Sequence, residues 1–437
     1  MVKKNIRMMK MDLFNPNFDV WNFIYILLIF VVLPILYLRL SYWQIIWKLE
    51  EVARTIDSYL ASAENIVMKK ISKTPSKELK ESVKHFLEFF TIEPVKLDPY
   101  GIISKFEHLI NLAEERYKYF VNQIAPDSDQ ETKANIMMGL SGAISLNFLS
   151  KVVKHYLGLI KKTKNLQLGL IFQLNIPFIE RASKALLSGT EALTNGWPIG
   201  DSIGNLIGAS LVEDGKLKEI EEDTLLAKRK IGKKEVYIIR AKGPGGRIGK
   251  LGKAVEKITK KEKIAKIITI DAAVKLEGEE TGSVAEGIGV AIGGIGVDKA
   301  YIENIAVKKK IPITTIIIKM SEEEAIQPMK KEILASKEKV LRLVEKEVAN
   351  TKEKGKIIVV GVGNSCGIGN NKKEVEESEK KIKEVIKILE EREKKRTKIS
   401  FLNFKTIANF AKLLFQFHNL FFHVLSFYKN FSEKLCN

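Results

Sequence analysis

Two aspartates draw attention first in this 437-residue chain. Asp201 lies in GWPIGDSIGNLIGAS, and Asp271 directly follows the apolar run KIITI. Carboxylates that converge on one cleft hold a divalent cation or share one proton, and either arrangement activates water. Asp201 and Asp271 are therefore the candidate catalytic pair. Glu277 follows in the same loop as Asp271, so Asp201, Asp271 and Glu277 form the candidate set for a divalent metal. The competing reading is capping, with Asp201 starting a helix and Asp271 closing a strand.

The second group is glycine-rich. In AKGPGGRIGKLG, Pro244 stands where a Walker A loop needs its first glycine, and Leu251 follows Lys250 where Ser or Thr is required. The loop can still offer backbone N–H groups at a helix start to an anion, with Arg247 and Lys250 beside them. Gly245, Gly246, Arg247, Gly249 and Lys250 are thus candidate ligand residues; a solvated basic turn is the alternative. In GVGNSCGIGN, Gly361, Gly363 and Asn364 let a backbone approach a ligand closely, but Gly367 comes one residue late for a dinucleotide fingerprint. Cys366 has no histidine near it in sequence to act as its base. His418 and His423, five apart, do not share a helical face.

These residues need a scaffold, and the composition limits which. Lys plus Arg number 72 against 53 Asp plus Glu, a formal charge of +19, and 45% of the residues are apolar. Two cysteines exclude a disulfide scaffold, and five histidines leave little for histidine-rich metal chemistry. Lysines interleave with glutamates as on a solvated face, and no RRM, KH or zinc signature accompanies them. The positive charge therefore suits anionic lipid better than nucleic acid.

Val20–Leu38 (VWNFIYILLIFVVLPILYL) carries no charge. As a helix it spans about 28 Å, close to a bilayer's hydrocarbon core. Trp21 and Tyr25 at one end, and Tyr37, Tyr42 and Trp43 at the other, suit the two interfaces. The bulky Arg39–Trp43 offers no signal-cleavage site, so residues 1–40 read as an N-terminal transmembrane anchor in the cell membrane. The free Cys366 points to a cytoplasmic soluble part.

Residues 41–195 repeat apolar positions at three- and four-residue steps and predict an all-helical domain. Across 196–395, apolar runs at Val236–Arg240, Lys266–Ile270, Ile313–Lys319 and Lys356–Val360 alternate with Lys/Glu-rich helical stretches, the longest from 322 to 350. That alternation predicts an α/β domain with a mostly parallel sheet, helices on both faces and ligands at the C-terminal strand ends. Residues 396–437 form a Phe-rich tail whose uncharged stretch suits an interfacial helix. The expected function is binding of a small anionic or metal-bound ligand, in a metal- or carboxylate-dependent hydrolase or in a non-catalytic tethered module.

Several long motifs carry a resemblance. They are FFTIEPVKLDPYGIISKFEHL at 89–109, KKTKNLQL at 161–168, PIGDSIG at 198–204, AKGPGG at 241–246, DAAVKLEGEETG at 271–282 and GVGNSCGIGN at 361–370. On these the chain resembles an uncharacterised archaeal family, domain of unknown function 1512, which implies an archaeal source and no established activity. More weakly, Asp201-Ser202-Ile203-Gly204 and Ile270-Asp271-Ala272 are similar to the two acidic motifs of hydrogenase-maturation endopeptidases. That likeness implies both acids as metal ligands, completed by a histidine. Here no histidine follows the next strand, and the GVGN turn comes after both acids instead of before them.

Overall fold

The computed structural model describes residues 24–25, 27–95, 101–213, 217–293, 296–395 and 397. The Phe-rich tail past residue 397, with His418 and His423, and residues 20–23 and 26 of the expected span lie outside them. The chain divides into two compact units, Met1–Phe90 with Gly139–Glu191, and Thr91–Met138 with Ala192–Asn437. The stretch 91–138, read from sequence with the helical domain, groups with the α/β part.

Among the described residues five helices come first: α1 (Leu33–Ile71), α2 (Lys77–Phe86), α3 (Ile102–Ile124), α4 (Gln130–Thr163) and α5 (Leu166–Asn195). A π-helical turn, Leu28–Val32, leads into α1. Every described residue from 24 to 40 is exposed although almost all are apolar. Leu28–Ile71 is long and apolar enough to cross a membrane, as is Gln130–Thr163, half of whose apolar window is buried. Beyond the exposed stretch α1 becomes one-sided, burying Ile45, Ile46, Leu49, Val52 and Ile56 at helical spacing. In the first unit, the later part of α4 runs antiparallel to this face. Ser150 Oγ donates to Asp57 Oδ1 at 2.7 Å, while Tyr42 OH donates to the Ile160 carbonyl at 3.5 Å.

The second unit holds α6 (Ile203–Ser210), α7 (Leu251–Lys261), α8 (Val297–Lys309), α9 (Glu322–Ile326), α10 (Lys331–Ala335), α11 (Lys337–Asn350) and a helix at 372–395. Its strands are β1 (Lys218–Glu221), β2 (Thr224–Ile231), β3 (Lys234–Ala241), β4 (Ile264–Val274), β5 (Val284–Ile288), β6 (Ile313–Met320) and β7 (Lys356–Gly361). They form one sheet in the order β1-β2-β3-β7-β4-β6-β5. The four strands legible in the sequence, β3, β7, β4 and β6, are its parallel centre. β1, β2 and β5 pair antiparallel at the edges, so the sheet is mixed, not mostly parallel. The edges escaped notice because one face meets water. In TLLAKRKI only the first four residues are fully buried, which weakens an apolar-run signal.

Alternation along the central strands feeds two cores. Ile357 and Val359 pack with Ile203, Leu206 and Ile207 of α6 and Val340, Val344 and Val348 of α11. Ile358 and Val360 pack with Leu251, Val255 and Ile258 of α7 and Ile302 of α8. Helices therefore cover both faces, as expected. The single helix expected at 322–350 is three, α9 to α11. Pro328 stands in the break, where it bridges Ile199, and Gln327 accepts from the Gly200 N–H at 3.0 Å. That break is what the turn carrying Asp201 docks against.

Candidate functional site

Asp201 occupies a single 3-10 turn, Gly200–Ser202, that runs straight into α6. Three glycines at four-residue spacing let this segment lie against backbone. A Cβ on Gly200 would fall 2.2 Å from the Glu324 carbonyl oxygen. On Gly204 it would fall 2.3 Å from Val362 O and 2.5 Å from Ile270 O, and on Gly208 3.3 Å from the Gly361 Cα. The stripe therefore seats α6 on the ends of β4 and β7. Gly361 and Gly363, expected to make room for a ligand, make room for this segment. Their Cβ positions would fall 2.6 Å from Gly204 O and 2.0 Å from Asp201 O, and Gly363 also has φ of +112°.

The packing delivers Asp201 to the turn after β7, where its Oδ2 accepts the Asn364 N–H at 2.8 Å. Asn364 turns its own Oδ1 to the Cys366 N–H at 2.8 Å. Asp271 sits on the neighbouring strand, one residue after Ile270, whose carbonyl accepts the Val362 N–H at 2.9 Å. Its Oδ1 accepts the Ala272 N–H at 2.7 Å, and the Gly293 N–H also reaches the carboxylate. Asp271 is buried, while Asp201 keeps partial exposure. Burial, and then the negative charge of Asp201, push the Asp271 carboxyl well above its ordinary range. Burial also raises Asp201, against the pull of the Asn364 N–H. Among the described residues neither aspartate has a Lys or Arg ion-pair partner. Such a pair is stable with one proton between the two groups or with a cation beside them.

Glu277 does not complete a metal set. It is exposed on the loop after β4, and the described residues contain no group of three or more His, Cys, Asp or Glu that could hold a metal ion. The reason is geometric: six residues past Asp271 the chain has left the strand, and its loop pairs instead with β6, through Gly282 N–H to Lys319 O at 2.8 Å.

The expected anion loop is also corrected. The Gly245 N–H donates to Glu131 Oε2, and the Gly246 N–H donates to Asn135 Oδ1 at 2.9 Å. Arg247 is buried and forks onto the same Glu131, Nη1 to Oε2 at 2.6 Å and Nη2 to Oε1 at 3.0 Å, while its Nε lies 3.0 Å from Asp223 Oδ1. Lys250 Nζ lies 2.5 Å from Glu222 Oε2, and its N–H donates to Thr224 Oγ1. Gly249, at φ of +74°, abuts Asp223 O and Thr224 Oγ1. The loop does hold an anion, but the anion is the carboxylate of Glu131 at the start of α4. The Gly245, Gly246 and Lys250 N–H groups and the Arg247 fork are thus already partnered within the protein.

Sequence reasoning missed a buried polar frame under the site. Arg240, on β3, is fully buried and has no carboxylate ion-pair partner among the described residues. Its Nε donates to Asn205 Oδ1 at 2.7 Å, its Nη1 reaches Asn370 Oδ1 at 3.4 Å, and its Nη2 has no partner. Burial lowers its pKa to about 9. Asn205 in turn donates to Gly363 O and Ala241 O at 3.3 Å each, tying α6 to the turn that holds Asp201. The signal was a lone arginine ending the apolar run VYIIR.

Two family matches account for most of the chain. Residues 23–196 match the N-terminal domain of a protein of unknown function, DUF1512, and residues 199–369 match the DUF1512 C-terminal domain. The chain belongs to the DUF1512 family. The C-terminal match contains Asp201, Asp271 and the GVGN turn, and stops one residue before Asn370. No curated protein and no solved structure matches.

Proposed function

We propose that this DUF1512 protein is a membrane-anchored hydrolase in which Asp201 and Asp271 act as an acid pair sharing one proton. The supporting observation is that the turn before α6, β4 and the turn after β7 gather two carboxylates that, among the described residues, have peptide N–H donors and no cationic ion-pair partner. In such a pair the ionised carboxylate takes a proton from water while the protonated one donates to the leaving group. Asp201, the more exposed, is the group that meets water and substrate. An acidic pocket repels anions, so the substrate is neutral or cationic. A divalent cation is the alternative counter-charge; with two protein ligands only, water and substrate would supply the rest of its shell.

The anchor reading rests on the exposed apolar stretch from 24 to 40, with the α/β unit in the cytoplasm. Membranes washed with high salt and then alkali should retain the full-length chain; release by salt alone would defeat the anchor. For the site, the detergent-solubilised protein, purified without chelator, is weighed by native mass spectrometry and screened against neutral esters, amides and peptides. Turnover abolished by Asp201→Asn and by Asp271→Asn, with no stoichiometric metal, is the expected result. Turnover that survives either substitution would overturn the acid pair. A second reading, a non-catalytic tethered scaffold, is favoured by the use of the strand-end glycines for packing.

A further inference from the structure

The turn between α4 and α5 reads KKTKN, 161–165, and all five residues are exposed. Lys161 is engaged by Glu50, Nζ to Oε1 at 2.5 Å. Lys162 and Lys164 have no ion-pair partner among the described residues, and neither has the exposed Arg39 of α1. Lysines in a helix's last turn serve its own carbonyls, which accounts for Lys161 and Lys162 at the end of α4. It does not account for Lys164, past that end, or for Arg39, inside α1. Lys164 also has φ of +52°, the left-handed conformation in which glycine closes a helix without strain. A lysine kept there is unfavourable for the turn itself.

Two contacts fix the level of the turn. The Ile160 carbonyl accepts both the Lys164 N–H at 2.8 Å and the Tyr42 OH at 3.5 Å. A Cβ on Gly169, at the start of α5, would lie 3.2 Å from Ile45 Cγ2. The turn therefore sits beside the first residues of α1 after Leu40, where the exposed apolar stretch ends. Because α4 runs antiparallel to α1, three residues past Ile160 bring the chain back about 4.5 Å, to the level of Arg39. Trp43 and Trp47, 65% and 63% exposed, stand at the same end, and such aromatics suit a headgroup layer. Acids are kept away. Residues 20–49 and 139–179 contain no Asp or Glu, and the first acid on α1, Glu50, comes about 15 Å past Leu40.

We propose that Arg39, Lys162 and Lys164 form a collar that binds the phosphates of anionic phospholipids in the leaflet where α1 leaves the bilayer. The proposal rests on the anchor reading and adds lipid selectivity to it. A cation at a negatively charged membrane surface contributes about fivefold in binding, and the attraction fades beyond a Debye length of about 8–10 Å. Cations held at the surface therefore count, and the charge of the rest of the chain does not.

The test uses the full-length chain in phosphatidylcholine vesicles. Cys436→Ser removes one thiol, and Cys366 is fully buried. A fluorophore is attached at Thr163→Cys in the turn, at Ile29→Cys in the anchor, or at Ser62→Cys, exposed on α1 about 22 Å beyond Trp47. Equal mole fractions of phosphatidylglycerol or phosphatidylcholine carry a nitroxide at the top of one acyl chain. The phosphatidylglycerol probe should quench the Thr163 label with an apparent affinity about fivefold or more above the other probe, and the Ser62 label should stay bright with both. Arg39→Gln, Lys162→Gln and Lys164→Gln together should erase the difference. Lys164→Gly alone should weaken it while the melting temperature holds or rises. Equal quenching of the Thr163 label by the two probes, or a preference that survives the triple substitution, overturns the collar. A Thr163 label that neither probe reaches, with the Ile29 label quenched by a deep nitroxide, overturns the collar and keeps the anchor. An Ile29 label that stays bright as well defeats both.

Discussion

Arg247→Met separates a structural loop from a ligand loop. Arg247 holds Glu131 through two short hydrogen bonds and Asp223 through a third contact, with its side chain only 8% exposed. Removing one partner of a buried ion pair costs about 3–5 kcal/mol, because the other charge is stranded. Here the stranded carboxylates keep 34% and 24% side-chain exposure and can take up water, so the loss falls to about 2–3 kcal/mol. For a unit of this size that lowers the melting temperature by roughly 4–12 °C. The assay is thermal unfolding of the full chain in detergent, followed by circular dichroism. Arg247→Lys keeps the charge but not the fork and should fall between. Glu131→Gln completes a double-mutant cycle whose coupling should reach about 1.5–3 kcal/mol. If Arg247→Met leaves the melting temperature within about 1 °C and instead removes binding of inorganic phosphate, the structural account is wrong and the loop is a ligand site.

Asp271→Asn should stabilise the protein at neutral pH and flatten its pH dependence. The folded carboxyl is raised above its unfolded value, so its contribution is full below about pH 4 and is lost as pH rises through the folded pKa. Melting temperatures across acid to neutral pH check this, and a variant whose stability follows the wild-type curve would refute it. Gly204→Ala places a Cβ against two carbonyl oxygens and should cost about 3 kcal/mol or more, whereas Gly278→Ala, with nothing within 4 Å, should be silent in the same melts.

Much of the frame was legible because it is written locally. Uncharged residues over a bilayer's width mark the N-terminal helix, and β-branched runs between charged helices mark β3, β4, β6 and β7. Asp201 and Asp271 also stood out in the sequence, as acids set among apolar residues and glycines. What the sequence could not reveal is who occupies the other end of each donor. Backbone N–H groups in GPGGR look identical whether they await a phosphate or face Glu131, more than a hundred positions earlier. A Gly-x-x-x-Gly-x-x-x-Gly stripe reads the same as a ligand cradle or as a helix seat until the opposing carbonyls are in place. The antiparallel edges and the break at Pro328 likewise depend on partners distant in sequence. Residue type and spacing set which interactions each group can make; only the tertiary structure decided which were already taken, because burial leaves every polar group room for few partners.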